Sequence, residues 1–412
     1  MVERLTIDHI GQRGDGVALG EQGPLYIAGA LAGEVVEVEQ ALEQHERRLL
    51  LRVEQASPQR ITPFCTHFGV CGGCAIQHWD PHAYQQWKKQ LVVQALNFAS
   101  IACHVDDLID AHGAGRRRVT LHARESQKGV QRVGFAAAGR HDIVPIDRCP
   151  VLAPALDGAI EIANAIAELL GPIKKPLDIQ VTATSNGLDI DIRGSGPLQP
   201  AILAKLAELA AKHNLARVTR HAELVIMRRP PCIEIGGTQV TLPAGSFMQP
   251  TAAGEDILAR LVMAHCSRGI QVADLFSGFG PFALRLAKIC RVAAFDSDEA
   301  AIAALLQALK TAKGIKPMTA NTRDLFRRPL MAQELRDYDC VVFDPPRQGA
   351  EAQSRQIAAS KVTRAIAVSC NPVTFARDAR ILIDSGFRLE SVTPVDQFRH
   401  TPHVELVACF NR

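Results

Sequence analysis

Apolar and polar positions alternate in short runs over the first 57 residues, and the rhythm then changes twice. Leu5-Thr6-Ile7, Gly16-Val17-Ala18, Leu25-Tyr26-Ile27, Glu34–Val38 and Leu49–Val53 each read as a short strand, punctuated by Gly11, Gly14, Gly20, Gly23 and Gly33. Five such strands between glycine turns predict a small barrel of the oligonucleotide-binding kind. Residues 58–75 have no periodicity. From Pro81 to about Ser100, Trp87, Leu91, Val92 and Leu96 return at helical spacing, predicting a helix over about 79–102 that packs on another domain. Residues 103–245 mix both periods, with Val119–Ala123 and Leu188–Ile192 strand-like and Ala155–Leu170 and Pro200–His213 helical. From Phe247 onward strands and helices alternate to the end, the mark of a doubly wound α/β sheet. The predicted organisation is an N-terminal β-barrel over 1–57, a central α+β domain over 58–245 and a Rossmann-like α/β domain over 246–412.

With 47% hydrophobic and 22% charged residues, the 412-residue chain has the balance of ordinary soluble globular material. A net charge of +3 permits an acidic polymer as partner without requiring one. No run approaches the ~18 apolar residues of a membrane span, and the first residues lack a secretory apolar core, so a cytoplasmic protein without a membrane partner is expected. In a reducing compartment its eleven cysteines are expected as metal ligands, nucleophiles or core residues.

Cys65, Cys71 and Cys74 form a thiol trio whose intervening Gly72 and Gly73 let the backbone fold around a metal centre. Cys149, before Pro150, is the best fourth ligand, while His67 or His78 would complete a zinc site. Spacing alone fits either iron–sulfur or zinc. Cys103, Cys232, Cys266, Cys290, Cys340 and Cys409 lie in apolar stretches and are expected to pack.

Candidate chemistry gathers at predicted strand ends, where ligands bind in open α/β sheets. Asp274-Leu275-Phe276-Ser277-Gly278-Phe279-Gly280 reads as a strand running into a glycine turn, with Pro281 opening a helix over 282–287. Ala283 stands where a dinucleotide fingerprint needs a third glycine. Asp296 ends the next strand, where a carboxylate can accept bonds from ribose hydroxyls. S-adenosylmethionine is therefore the leading cofactor, with NAD second. Asp324 is placed either to meet an adenine amino group or to cap a turn. Asp344, in Phe343-Asp344-Pro345-Pro346-Arg347, and Cys370, in Val368-Ser369-Cys370-Asn371-Pro372, end two further strands and could hold a planar base. A lone cysteine is more often a buried core residue, but the Asn-Pro turn and the Asp-Pro-Pro-Arg shift that balance.

Taken together, the Asp-Leu-Phe-Ser-Gly-Phe-Gly turn, Phe343–Arg347, Ser369–Pro372 and His403-Val404-Glu405 resemble the RNA 5-methyluridine methyltransferase family over almost the whole chain. The N-terminal segment resembles the TRAM domain that these enzymes use to hold RNA. Cys65, Cys71, Cys74 and Cys149 resemble the [4Fe-4S] site of the branch acting on 23S ribosomal RNA. The resemblance implies that Cys370 is a nucleophile adding to uracil C6 and that Glu405 is the base removing the C5 proton. It also implies that Gln249, Phe276, Asp296, Asp324 and Asp344 form the S-adenosylmethionine pocket. Pro281 departs from the polar residue often found in that branch.

The expected partner is therefore RNA, specifically 23S rRNA, met by a monomer. Arg13, Arg47, Arg48 and Arg52 lean towards RNA, and Arg116-Arg117-Arg118 with Arg124 and Arg132 read either as phosphate contacts or as a solvated charge run. The same chemistry on transfer RNA and a non-catalytic iron–sulfur RNA-binding protein are the alternatives.

Overall fold

The computed structural model describes residues 2–41, 44–125, 131–171 and 176–412. Val2–Thr6, His9–Ile10, Gly16–Gly20, Gly23–Ile27, Val35–Gln40 and Arg47–Gln55 form a six-stranded sheet. Its first two strands are neighbours in the chain but lie at opposite ends of the sheet order. At their junction Ile7 N–H donates to Glu34 O and Asp8 N–H donates to Val17 O, so the chain passes directly from one end of the sheet to the other. Alternation sets the interior: Val36 and Val38 point in with Ile7, Ala18 and Ile27, while Glu39 points out.

The central sheet has seven strands in the order Ile143–Pro145, Gln131–Ala136, Arg118–Glu125, Leu177–Thr184, Gly187–Arg193, Leu215–Arg220 and Glu223–Met227. Helices Ala159–Leu170 and Pro200–Lys212 bury Ile162, Ile166 and Leu206 against its Leu121, Ile179, Ile190 and Val218. The following hairpin, Cys232–Ile235 with Thr238–Thr241, contributes Ile233, Ile235 and Val240 to the same apolar cluster as Val272 and Leu305.

The largest sheet has eight strands, ordered Met318–Thr322, Arg291–Asp296, Gln271–Leu275, Cys340–Phe343, Arg364–Ser369, Glu405–Asn411, Arg388–Asp396 and Ile109–Asp110. The first five run parallel. Glu405–Asn411 is antiparallel to both its neighbours. Cys340–Phe343 is buried on both faces, as a central parallel strand requires. The sheet order reverses between Gln271–Leu275 and Cys340–Phe343, the kind of switch point that opens a crevice at the carboxyl edge. The helix expected after Pro281 is reduced to Ala283–Leu286.

Two earlier segments complete this α/β unit. Ile109–Asp110 pairs with Val395–Asp396 and covers the sheet edge. Helix Pro81–Phe98 is capped by the Asp80 carboxylate, which accepts from His82 and Ala83 N–H, and has proline at its first position. Its Val92 and Leu96 pack with Phe375, Ala379 and Leu382 of helix Pro372–Asp384. On the same helix Lys88 is fully buried and donates to Asp396 Oδ1 at 2.5 Å and to the carbonyls of Phe398 and His403. Among the described residues, no helix is long and apolar enough to cross a membrane.

Candidate active site

The first wall of the crevice is the turn after Gln271–Leu275. Phe276 adopts φ +62°, a conformation that costs a non-glycine residue roughly 1–3 kcal/mol. Gly280 adopts φ +94°, which favours glycine, and a Cβ there would also displace the Leu305 side chain, whereas a Cβ on Gly278 would face open space. Asp296 is pinned at the tip of the next strand. Its Oδ2 accepts from Gly278 N–H at 2.8 Å and its Oδ1 from Asp298 N–H at 2.8 Å, leaving lone pairs for hydroxyl donors. Asp324 caps a turn through Oδ1, which accepts from Phe326 and Arg327 N–H. The Phe276 and Phe326 rings lie 5.3 Å apart, an aromatic wall beside that carboxylate.

Cys370 follows strand Arg364–Ser369, and Asn371 then caps helix Pro372–Asp384 by accepting from Val373 N–H. The Asn371 amide also donates to Arg347 O at 3.0 Å, tying the thiol's loop to the Asp-Pro-Pro-Arg loop. Cys370, Arg347 and His403 line a cleft of about 430 Å³ together with Gln12 and Arg13 of the N-terminal unit. That turn is seated by Gly14, whose missing side chain makes room for Ile76 Cδ1, 2.7 Å from where a Cβ would stand. Arg347 donates to His403 Nε2 at 3.0 Å. Burial, then Arg347 and Lys88, lower the His403 pKa to about 4, so the ring is a neutral acceptor.

Between these walls runs a chain of buried polar groups. Gln249 Nε2 donates to Asp344 Oδ2 at 3.3 Å. Gln397 Nε2 donates to Gln249 Oε1 at 2.6 Å and to Glu405 Oε1 at 3.2 Å. Burial raises the Glu405 pKa to about 8, with Asp344 the next cause, and burial raises Asp344 to about 7. Asp344 keeps part of its surface open although protein encloses its carboxyl. Burial, followed by Glu405 and Asp344, pushes the Cys370 thiol up to about 11, with Arg347 opposing. A thiol, two proton-poised carboxyls and a guanidinium thus meet where a buried carboxyl opens onto a cleft, an arrangement suited to nucleophilic addition and proton removal.

The arginines divide differently from the expectation. Arg117 donates to Gln249 O and pairs with Glu255, and Arg118 donates to Thr182 Oγ1 and to Ser246 O at 2.6 Å. This pair braces the segment carrying Gln249 and is committed to protein partners. Arg47, Arg48 and Arg52 are likewise engaged, with Asp15, Glu3 and Glu37. Arg4 pairs with Glu54, so among the described residues Arg13 alone of the five N-terminal arginines lacks a hydrogen bond or ion pair, and it faces the Cys370 cleft.

Cys65, Cys71, Cys74 and Cys149 line one cavity of about 230 Å³, which His67 also touches and His78 does not. Burial raises the pKa of Cys71, Cys74 and Cys149, and neighbouring thiols of the set add to the rise in each. Among the described residues no three His, Cys, Asp or Glu side chains are arranged to hold a single metal ion. Directly after Cys74, Ala75 and Ile76 N–H donate to His400 O, in the loop leading to Glu405. Gln397, Lys88 and His400 escape sequence reasoning, since their partners are distant in the chain and no periodicity marks them.

Comparison with known proteins agrees with this geometry. Residues 235–412 match the family described as tRNA (Uracil-5-)-methyltransferase. An RNA methyltransferase of Brucella suis biovar 1, named as uncharacterised, is 42% identical over 99% of this chain and 98% of its own. The 23S rRNA (uracil(1939)-C(5))-methyltransferase RlmD of Chromohalobacter salexigens is 31% identical over 99% of this chain and 89% of its own. Among solved structures, the Pyrococcus abyssi tRNA (uracil-54, C5)-methyltransferase in complex with S-adenosyl-L-homocysteine is similar in fold, with a TM-score of 0.75 at 21% identity over 99% of this chain and 100% of its own.

Proposed function

We propose, from the premise that the chain belongs to the S-adenosylmethionine-dependent RNA (uracil-C5)-methyltransferase family, that it converts a uridine of 23S ribosomal RNA to 5-methyluridine through a transient Cys370–C6 bond. The observation that carries this reading is the meeting of Cys370, Glu405 and Asp344 at one sheet edge: Cys370 follows the strand whose Ser369 pairs with Leu406, and Gln397 and Gln249 link Glu405 to Asp344 by hydrogen bonds. The choice of ribosomal over transfer RNA rests on the likeness to the Chromohalobacter enzyme and on the cysteine set.

S-Adenosylmethionine supplies an electrophilic methyl group on a positively charged sulfur. Asp296, with a lone pair free on each oxygen, is suited to the ribose. Phe276 and Asp324 are suited to the adenine, while Gln249 and Asp344 line the side towards Cys370. In the reaction the Cys370 thiol would give up its proton to solvent in the cleft and add as thiolate to C6, and the C5–C6 π pair, now available at C5, would take the methyl as its bond to the cofactor sulfur breaks and neutral S-adenosylhomocysteine leaves. Glu405 then takes the C5 proton, the C5=C6 bond re-forms and Cys370 leaves as thiolate. The target base has to leave its stack to reach this corner.

In this reading residues 1–57 form a closed RNA-holding barrel, supported by the hydrogen bonds of Ile7 and Asp8 to both ends of the sheet. The seven-stranded sheet with its two helices, within residues 58–245, forms a central domain, and residues 246–412, completed by Pro81–Phe98, Ile109–Asp110 and the hairpin Cys232–Thr241, form the methyl-transferring one. The reading of a [4Fe-4S] cluster is supported by four thiols that line one cavity. Cys65, Cys71, Cys74 and Cys149 would hold it, and the enzyme would act as a monomer.

The test is methyl transfer from labelled S-adenosylmethionine into unmodified 23S, 16S and transfer RNA, followed by nucleoside analysis. 5-Methyluridine in 23S RNA alone is expected. Product in transfer RNA alone would overturn the substrate, and none in any pool would overturn the activity.

A further inference from the structure

Gln397 is fully buried, and its amide is committed in one direction. Both of its hydrogen bonds are donated by Nε2, to Gln249 Oε1 and Glu405 Oε1, while its own Oε1 has no partner. A buried carbonyl left unpaired costs roughly 1–3 kcal/mol, so the orientation calls for a reason. Turning this amide alone would set its carbonyl against Gln249 Oε1 and, once Glu405 is ionised to act as base, against that carboxylate as well. Glycine at position 254 is part of the same arrangement. Gly254 lies in the first turn of helix Ala252–Ala264, a position where alanine would be the better helix former. A Cβ there would overlap Gln397 Oε1 and stand 2.8 Å from both Gln397 Cβ and Thr251 Oγ1, which caps the helix by accepting from Gly254 N–H. The missing side chain therefore makes room for Gln397 as well as for the cap.

We propose that Gln397 is the positioning residue for proton removal: it holds Glu405 by Oε1 and so leaves Oε2 to take the uridine C5 proton. Resting on the reading of Glu405 as base, this role adds a second effect. Because Gln397 donates to Gln249 Oε1, the Gln249 amide must turn its own N–H towards Asp344. One side chain thus sets both the base and the polarity of the pocket wall opposite. No covalent change occurs on Gln397 itself, and the proton passes from C5 to Glu405 Oε2 as the C6–sulfur bond breaks. The donated hydrogen bond also favours the ionised carboxylate, so its loss makes Glu405 harder to deprotonate.

The experiment uses the full-length protein, S-adenosylmethionine and unmodified 23S RNA, and follows formation and decay of the covalent RNA–protein adduct across pH. Gln397→Met removes the donor without adding a charge. Methyl transfer into the adduct is expected to persist, with adduct decay slowed about tenfold or more and its pH midpoint moved upward. Gly254→Ala, which keeps the amide but pushes it from its seat, is expected to do the same in a helix that itself favours alanine. Adduct decay at the wild-type rate and pH midpoint in either folded variant overturns the proposal. A general packing defect would slow adduct formation and decay together without moving the midpoint, which also overturns it. Glu405→Gln run in parallel separates the two levels. Adduct accumulation there with wild-type decay in Gln397→Met removes only the role of Gln397, whereas no accumulation in Glu405→Gln overturns the base itself.

Discussion

Cys370 and Glu405 share one edge of the sheet because their strands run in opposite directions: Ser369 pairs with Leu406, so the residue after one strand meets the first residue of the other. A parallel strand would have carried Glu405 to the far edge. The two positions are predicted to fail differently. Cys370→Ala is expected to lose methyl transfer and RNA capture altogether, by about a thousandfold or more. Glu405→Gln is expected to trap RNA covalently. Denaturing gels with labelled cofactor separate the outcomes, and an active Cys370→Ala enzyme would remove the covalent mechanism.

The raised pKa of Glu405 has a stability signature. Below about pH 4.5 the carboxyl is protonated in both folded and unfolded chains and contributes nothing. Between there and its folded value of about 8 the unfolded chain ionises while the folded one does not, so stability falls as pH rises; above 8 the loss is constant. Glu405→Gln is therefore expected to gain stability over wild type with a slope approaching about 1.4 kcal/mol per pH unit through that window. Urea melts at pH 5 and pH 8 check it, and equal differences at both would show a carboxyl of ordinary pKa.

Much of the site was legible because its residues end strands. Asp296, Asp344 and Cys370 each close an apolar run just before a turn, and a period-two or buried-strand pattern exposes that position directly. Arg117 and Arg118 were misleading for a physical reason. A charge run looks the same whether its partners are phosphates or the carboxylate of Glu255 and the carbonyls of Ser246 and Gln249, which lie more than a hundred residues away. Gln397 was invisible for the same cause, since only the folded chain brings Gln249 to it. The helix after Pro281 is shorter than its apolar pattern suggests, because the glycine turn continues through Phe282.

Arg13, free and facing the cleft, is predicted to contact RNA phosphate. Arg13→Ala is expected to weaken RNA binding and to lower the slope of log affinity against log salt by about one, leaving cofactor affinity unchanged. An unchanged slope would assign the cleft's RNA contacts elsewhere.

The cysteine cavity is predicted to carry iron and sulfide. Anaerobically prepared protein is expected to contain both, and Cys149→Ser to lose them. Zinc in place of iron, with no sulfide, would overturn the cluster reading.

Lys88 is predicted to be costly to truncate. Lys88→Met leaves the Asp396 carboxylate buried with only the Tyr84 hydroxyl and Phe398 N–H as donors, an uncompensated charge expected to cost about 3–5 kcal/mol in a urea melt. A loss below about 1 kcal/mol would mean that the ammonium is replaceable by water.

The same lysine bears on how this enzyme can be divided. The recognised family segment begins at residue 235, yet the loop before Glu405 is gripped by an ammonium from position 88, and the adjoining strand edge is covered by Ile109–Asp110. Cutting the chain at residue 245 would leave a bare sheet edge and an orphaned carboxylate in place of a working half-enzyme. The unit built on the eight-stranded sheet is discontinuous in the chain. Recombination that exchanges the carboxyl half alone would have to bring the helix Pro81–Phe98 with it, and a ribosome making this chain releases the last piece of the active site only after its clasp has been waiting for some three hundred residues.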